Sequence, residues 1–529
     1  MRTTDKTVNE QAADVDESAA DALSIDEIKR VISHTERKKI VVFKFGGTTA
    51  GSDSVDQRLR DARLLIEQKL KDGYFAIPVF SAFKRLGNDR QAKLGMTDLL
   101  LSYRDIIAEG ATERDGVKEF RRQILKPHLE QMRDLELLPA DLDLEEIQKT
   151  GFKGMPKGLP KESVKMLEEF LRELNSIVGD SATFNKFLPS QGAIDHMVSG
   201  GERLMVLIIG AYFNKKWKES GFEWKAIPAT ARDIGVMTDG RFGDATILDE
   251  SLRSIHANAN IFRKRHEVPI VTGFDGVYKT VDNQGRVRRY TTTLGRSGSD
   301  LTATYIGYAL TSEATYLVKD TDGVLSADPR YVPEAKTIKS LSYELAVEAG
   351  NIMTKAVQPA VDGNMDLIVM NPKNPSVFTT IGPKIDKTGP VLITNPARCR
   401  YVRVTMHGAM DLDKFLDEIK EYHESFLEFY YTGDHISFVY KGTKLPVPLD
   451  RFLAEQQRLT VEETPAYFFQ VVGYMSRDDV VNFNAWLAQR KHLSGPRWFE
   501  NSKSMNVCLP EEGTDIGVAL QDIHAKFIQ

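Results

Sequence analysis

Residues 291–304, Thr-Thr-Thr-Leu-Gly-Arg-Ser-Gly-Ser-Asp-Leu-Thr-Ala-Thr, put small residues, one arginine and one aspartate at the start of a helix. Glycine there lets backbone approach a ligand closely, and the free N–H groups of a helix start favour an anion. Arg296 adds a planar donor fork suited to a carboxylate or a phosphate. Taken alone, the stretch could cap a helix and do no chemistry. It has a counterpart far upstream. Ile40-Val41-Val42-Phe43 runs apolar and then breaks into Lys44-Phe45-Gly46-Gly47-Thr48-Thr49, which reads as a buried strand ending in a phosphate-cradling turn. That turn is neither a G-x-x-x-x-G-K-[ST] loop nor a G-x-G-x-x-G fingerprint.

Together the two segments resemble the aspartate kinase branch of the amino acid kinase family. Its hallmarks are a Lys-Phe-Gly-Gly-Thr strand end and a Leu-Gly-Arg-Gly-Gly-Ser-Asp loop. Thr49 stands here for the usual serine, and Ser297 for one glycine. Between them, Ser199-Gly200-Gly201-Glu202-Arg203 falls where the family carries Ser-x-Gly-Glu. Thr238–Gly243 matches a Thr-x-x-x-Phe-Gly run, and Val268–Phe274 reads as a strand with a Gly-Phe turn. Downstream, Lys319–Val324 and Asp328–Pro333 resemble the family's nucleotide-side motifs. The resemblance covers residues 39–382, and a weaker one continues to the end.

Composition is that of a chain with more than one domain: 529 residues, 41% hydrophobic and 27% charged. The net charge of −5 supplies no basic field for nucleic acid. Only Cys399 and Cys508 occur, which argues against a disulfide framework or a cysteine metal cluster and fits a reducing, cytoplasmic setting. No apolar run approaches the length of a membrane span. Residues 1–37 carry Asp14, Asp16, Glu17 and Asp21 among alanines. With no apolar core of a signal peptide, they read as an acidic tail, disordered or loosely docked.

From 38 to 388 strand-like and helix-like stretches alternate, which indicates an α/β domain with a largely parallel central sheet; the resemblance implies the amino acid kinase fold, with helices sandwiching that sheet. Residues 103–185 are helical and charged, and read either as a substrate-side lid or as passive decoration. Phe83–Met96 is a polar insertion before Thr97-Asp98-Leu99-Leu100, either folding over the site or extending a surface loop. After 389 the pattern changes. Tyr401–Met406, Leu412–His423 and Ile436–Tyr440, then Tyr467–Gly473, Asp478–Arg490, Ser504–Leu509 and Gly517–Phe527, read as two successive βαβ-like units. They resemble the paired α+β ACT modules that end aspartate kinases. The family's effector-binding helix start reads here Asp411-Leu412-Asp413-Lys414-Phe415, and its Thr-Ser-Glu turn reads Thr432-Gly433-Asp434.

The resemblance implies ATP and L-aspartate as substrates, with 4-phospho-L-aspartate as product at the entry to lysine, threonine and methionine synthesis. An aspartate side chain, with a reference pKa of about 3.9, is already ionised at neutral pH. Catalysis then needs positioning and positive charge rather than a general base. His128, His196 and His256 accordingly read as structural or surface residues. By the resemblance, Lys44 neutralises the transferring phosphates, Gly46 and Gly47 donate N–H groups, and Asp300 orients the lysine. Arg296 holds the acceptor's α-carboxylate, Glu202 meets its α-ammonium, Thr97 and Ser299 add hydrogen bonds, and Phe274 walls the pocket. Lys319, Asp320, Arg330 and Lys336 lie on the nucleotide side. Lys355 joins them if Met353–Pro359 replaces the family's Gly-Ala-Lys-Val-Leu-His-Pro without a gap; aligning Ala356–Ala360 with the residues after that segment removes the lysine. Mg²⁺ is held mainly by ATP phosphates and water, with no protein ligand assigned. The resemblance further implies an amino-acid effector and a homo-oligomer built through the C-terminal modules. Two other readings stay open: an amino acid kinase with a glutamate-type acceptor, and a regulatory pseudokinase that binds small molecules through its ACT modules.

Overall fold

The computed structural model describes residues 29, 38–47, 55–82, 96–97, 99–100, 113–143, 147, 159–183, 191–383, 389–407, 426–432, 435–442, 444–455, 459–490, 497–500 and 503–528. Most of the acidic tail, nearly all of the 83–96 insertion, and the effector positions 411–415 and 433–434 fall outside them. The chain falls into two compact units, residues 1–323 with 352–383, and residues 324–351 with 384–529.

The first unit begins with β1 (Lys38–Phe45), α1 (Val55–Lys71), β2 (Phe75–Phe80), α2 (Glu113–Asp134), α3 (Lys161–Thr183), α4 (Gln191–Val198) and α5 (Gly200–Ser220). It continues through β3 (Lys225–Ala229), α6 (Ala231–Ile234), β4 (Met237–Thr238), α7 (Ser251–Lys264), β5 (Glu267–Thr272), β6 (Asp275–Val281), β7 (Val287–Thr293), α8 (Gly298–Ala309) and β8 (Ser312–Val318). After β9 (Ser340–Ser342) and α9 (Tyr343–Glu348), which belong to the second unit, it closes with α10 (Thr354–Asp362), β10 (Leu367–Met370) and β11 (Phe378–Gly382).

Its main sheet runs β3-β5-β2-β1-β8-β10-β11. Every pair from β3 to β10 is parallel, and only β11 runs against its neighbour. A parallel sheet covered on both faces needs strands that are apolar throughout. β2, Phe-Ala-Ile-Pro-Val-Phe, is buried at all six positions. Phe43 stacks on Tyr316 and Phe45 on Phe80, with centroids 4.8 and 4.7 Å apart. α5 buries Leu204, Met205, Ile208, Ile209, Tyr212, Phe213 and Trp217 in the same core. The 103–185 stretch contributes α2 and α3, whose Leu125, Leu129, Phe170 and Leu174 join it. A smaller sheet, β4-β6-β7, is dominated by the long β6–β7 hairpin. The chain leaves β1 for β2 on one side, whereas β8 lies on β1's other side. Such a switch point, at the carboxyl ends of the strands, is where open α/β sheets bind ligands.

The second unit is an antiparallel sheet covered by helices. It contains β12 (Gly389–Ile393), β13 (Ala397–Met406), β14 (Phe426–Thr432), β15 (His435–Lys441), α11 (Val447–Glu455) and β16 (Leu459–Tyr474). α12 (Arg477–Ala488), β17 (Arg497–Glu500), β18 (Ser504–Pro510) and α13 (Ile516–Phe527) complete it. The strands run β14-β15-β13-β16-β18-β17, with β12 also on β16. This corrects the reading of two successive units. β16 serves both: Leu459–Phe468 pairs with β13, while Ala466–Val472 pairs with β18 and Val471–Tyr474 with β12. The half built on β18 thus takes a strand from before the half built on β13, and the two ACT-like modules interleave. Residues 324–351 fold with this unit, Ala327 and Val332 packing with Phe469, Phe483 and Leu520.

Candidate active site

Lys44 is the penultimate residue of β1, in register with Val79 on one side and Leu317 on the other. Its Nζ lies 2.9 Å from Asp300 Oδ1, and both side chains are about one-sixth exposed, at 17 and 18%. Gly46 and Gly47 follow directly, both half-buried. Asp300 is in the first turn of α8, entered through Gly295 (φ 67°) and Ser297 (φ 58°). Close packing enforces glycine nearby: a Cβ on Gly273 would lie 2.5 Å from Ser299 Cβ. Phe274, at φ 81°, donates its N–H to Thr302 Oγ1 (3.1 Å) and accepts from Leu294 N–H (2.8 Å). It packs over Gly298, where a Cβ would lie 2.8 Å from its ring.

Lys319 follows β8, its N–H donating to Met370 O (2.9 Å). Burial lowers its pKa, with Asp300 opposing and Lys44 adding to the shift. Lys44, Asp300 and Lys319 therefore form one electrostatic group with a surplus positive charge, suited to anions. Beside it a cleft is lined by Arg58, Asp61, Lys319, Asp320, Asn371, Pro372 and Lys373. Asp320 itself is exposed, and Asn371 Nδ2 donates to its carbonyl (3.3 Å) and to Asp322 Oδ1 (2.8 Å).

Glu202, in the first turn of α5, is only 3% exposed. Its Oε1 accepts Ala82 N–H at 3.2 Å, and its Oε2 has no hydrogen-bond partner among the described residues. Burial pushes its pKa up to about 8, with Asp275 adding to the rise. Asp275, equally buried, is pushed up to about 7 by the same cause, and accepts from Thr272 Oγ1 at 2.5 Å. Met96 packs against Gly201, which brings its half-buried chain neighbour Thr97 near this helix start. Arg296 is exposed, with no ion pair among the described residues.

The remaining expected residues have partners of their own. Lys355 Nζ donates to Asp244 Oδ1 (2.7 Å) and Leu294 O (2.5 Å), so it is tied to the turn before Arg296. Arg330 and Lys336 belong to the second unit, Arg330 ion-paired with Asp328 and Lys336 N–H donating to Ser326 Oγ (2.9 Å). His128 is buried with a pKa lowered to about 4, and its Nδ1 lies 2.7 Å from Ile124 O. His196 lies between Ser176 and Arg203, and His256 beside Lys38. Sequence reading missed Arg58, Asn371 and Lys373 in the cleft and Asp275 behind Glu202; none sits in a recognisable motif, although Asp275 directly follows the Gly-Phe turn. Among the described residues no cluster of His, Cys, Asp and Glu is arranged for a metal ion, and no helix is long and apolar enough to cross a membrane.

The amino acid kinase family model matches residues 39–371. The chain is 27% identical over 356 residues to Aspartokinase 3, chloroplastic, of Arabidopsis thaliana, covering 66% of this chain and 54% of that protein. It is 34% identical over 193 residues to Aspartokinase 2, chloroplastic, of the same plant, covering 35% and 33%. The chain thus spans about half, or less, of the curated relatives' own length. Among solved structures, E. coli aspartokinase III in complex with lysine and aspartate shares the fold, with a TM-score of 0.66 at 20% identity over 93% of this chain and all of that one. The same enzyme in complex with aspartate and ADP gives a TM-score of 0.60 at 20% identity, covering 92% and 99%. The family match extends over more than half of the chain and contains the Lys44–Asp300 pair, Glu202, Arg296 and Lys319: this chain belongs to the amino acid kinase family.

Proposed function

We propose that the protein is a cytoplasmic aspartate kinase that transfers the γ-phosphoryl group of ATP to the side-chain carboxylate of L-aspartate. The observation that carries this reading is Glu202, a buried carboxylate with one oxygen unpartnered among the described residues. A substrate ammonium would stabilise its ionised form, whereas an N-acetylated acceptor offers no charge there. Arg296, exposed on its turn, would take the α-carboxylate. An ionised side-chain oxygen of the acceptor attacks the γ-phosphorus. The new O–P bond forms as the bond to the β,γ-bridging oxygen breaks and ADP leaves, with no proton to remove. The cations fit a polyphosphate. Lys44 and Lys319 would face it, the N–H groups of Gly46 and Gly47 would approach it, and Asp300 keeps Lys44 aimed. Mg²⁺, bound through phosphates and water, would neutralise further charge. Asp320, Arg330 and Lys336 remain nucleotide-side candidates by the resemblance, as do Thr97, Ser299 and Phe274 for the acceptor.

A hydroxamate assay with aspartate, glutamate and N-acetylglutamate tests this reading. Aspartate-dependent hydroxamate is expected. Preference for glutamate would favour the second amino acid kinase reading, and no product with any acceptor would leave a binding protein.

Residues 38–323 with 352–383 would form the catalytic domain, and residues 324–351 with 384–529 the regulatory modules, whose exposed sheet edges would pair subunits. Lysine is bound in one E. coli aspartokinase III structure. Here Asp411 and Asp413 would repel an effector carboxylate, so lysine or threonine alone at millimolar concentration should inhibit weakly. Submillimolar inhibition in steady-state assays would overturn that part.

A further inference from the structure

Lys355 was expected at the nucleotide, yet its ammonium is engaged on the turn that presents Arg296. It donates to Leu294 O and to Asp244 Oδ1. The residues before these two partners are tied together as well. Asp195, 4% exposed, accepts through one oxygen from Gly243 N–H (2.9 Å) and Thr293 N–H (2.7 Å). Ala245 N–H donates to Thr293 O (2.9 Å). Residues 243–245 and 293–294 are therefore fastened by a buried carboxylate, a main-chain bond and a lysine bridge. The approach is so close that a Cβ on Gly295 would lie 2.3 Å from Asp244 Oδ1 and 3.1 Å from Lys355 Nζ. The lysine's own helix is anchored, because Thr304 Oγ1 on α8 donates to Ala356 O on α10 (2.7 Å).

We propose that Asp195, Asp244 and Lys355 form a clamp that positions the Leu294–Ser297 turn, and through it Arg296, for the acceptor. The clamp rests on the reading of Arg296 as the acceptor's carboxylate ligand. Arg296 sits between two residues with left-handed backbone, Gly295 and Ser297. Such a turn needs outside anchors to hold one geometry, and small misplacement of a positioned group is costly in rate. The Lys355–Asp244 pair is partly exposed, with side chains 34 and 79% accessible. It adds little stability as an ion pair; its contribution is directional.

Lys355→Met, Asp244→Asn, Asp195→Asn and Asp195→Ala test the clamp through two readouts. Steady-state kinetics should show Lys355→Met raising the aspartate KM about three- to tenfold, the scale of one ordinary hydrogen bond lost from the turn, with ATP KM within about twofold. Asp244→Asn should act in the same direction and less. Asp195→Asn, which keeps an accepting oxygen, should fall between wild type and Asp195→Ala. Hydrogen exchange of the full chain should speed up at residues 293–299 in Lys355→Met and remain unchanged in β1. A rise in ATP KM with aspartate KM spared would overturn the clamp and put Lys355 at the nucleotide; so would unchanged exchange in the turn. If Asp195→Ala does not fold, Lys355→Met at its partly exposed site still decides. Faster exchange of the turn in Lys355→Met, alongside a wild type that phosphorylates no aspartate, would sink the aspartate reading and keep the clamp.

Discussion

The carboxylates of this site occupy opposite electrostatic settings. Asp300 meets Lys44 at 2.9 Å, with Lys319 close enough to shift in response to both. Its charge is matched before any ligand arrives, and a cation is left over. Glu202 receives one main-chain N–H, has no partner for Oε2 among the described residues, and feels a second buried acid in Asp275. One side of the site is prepared for anions, and the other holds an acid whose ionisation awaits a cation. Buried charges are normally paired, so the second setting is the one that calls for a ligand.

The largest effect should come from breaking the first setting. Lys44→Ala removes the cation and leaves Asp300 facing the phosphates. We expect kcat to fall roughly 10²–10³-fold, the scale of losing one preorganised electrostatic contact, with a smaller change in aspartate KM. Wild-type turnover in a clean preparation would end the kinase mechanism described above.

Changing the second setting should instead divide the two substrates. Glu202→Gln keeps the shape and removes the charge, so aspartate KM should rise about tenfold or more, as a charge-assisted bond of roughly 1.5–3 kcal/mol is lost. ATP KM should barely move. Equal losses for both substrates would show Glu202 to be structural.

The same residue makes stability depend on pH. Its folded pKa of about 8 lies above the ordinary carboxylate value of 4.5. Between those values the folded state keeps a proton that the unfolded state has released. Stability therefore falls as pH rises through that window and levels off above about 8. Asp275, at about 7, adds a slope of the same sign. In urea denaturation, Glu202→Gln should show a shallower decline than wild type, and aspartate should protect wild type more as pH approaches 8. Parallel declines in the two proteins would mean that Glu202 is not buried as described.

Two parts of the site were legible in the sequence because they lie in short motifs. Lys44 with Gly46-Gly47, and Arg296 with Ser299-Asp300, announce themselves by composition and order. Glu202 was legible only through its place in a Ser-x-Gly-Glu segment, and nothing local indicated that Oε2 would find no partner among the described residues. Asp195 was invisible, since its role depends on Thr293, 98 residues away. The interleaving of the terminal modules escaped for a related reason. Val461, Glu462 and Glu463 in the first half of β16 are exposed, so the apolar alternation that marked Tyr467–Gly473 does not extend back along the strand. Residues 324–351 follow the kinase motifs in sequence but pack with the C-terminal core, through Ala327 and Val332 as well as a 2.8 Å contact between Ser326 Oγ and His524 Nε2.

The smallest functional effect is expected where a buried carboxylate is already satisfied. Glu67, 5% exposed, is ion-paired with Arg63 and accepts from Trp217 Nε1 at 2.7 Å. Trp217→Phe removes that donor but leaves the arginine, so Glu67 is not orphaned. The smaller ring can still meet Phe213 and Phe222, whose centroids lie 5.6 and 5.5 Å from the indole. The cost should be about 1–2 kcal/mol in chemical denaturation, combining one hydrogen bond with a modest loss of packing. Both KM values should stay within about twofold of wild type, since no substrate charge completes this carboxylate. If acceptor KM instead rose as far as in Glu202→Gln, disturbance of the α5 core would explain both variants. The distinction between a satisfied acid and a waiting one would then fail.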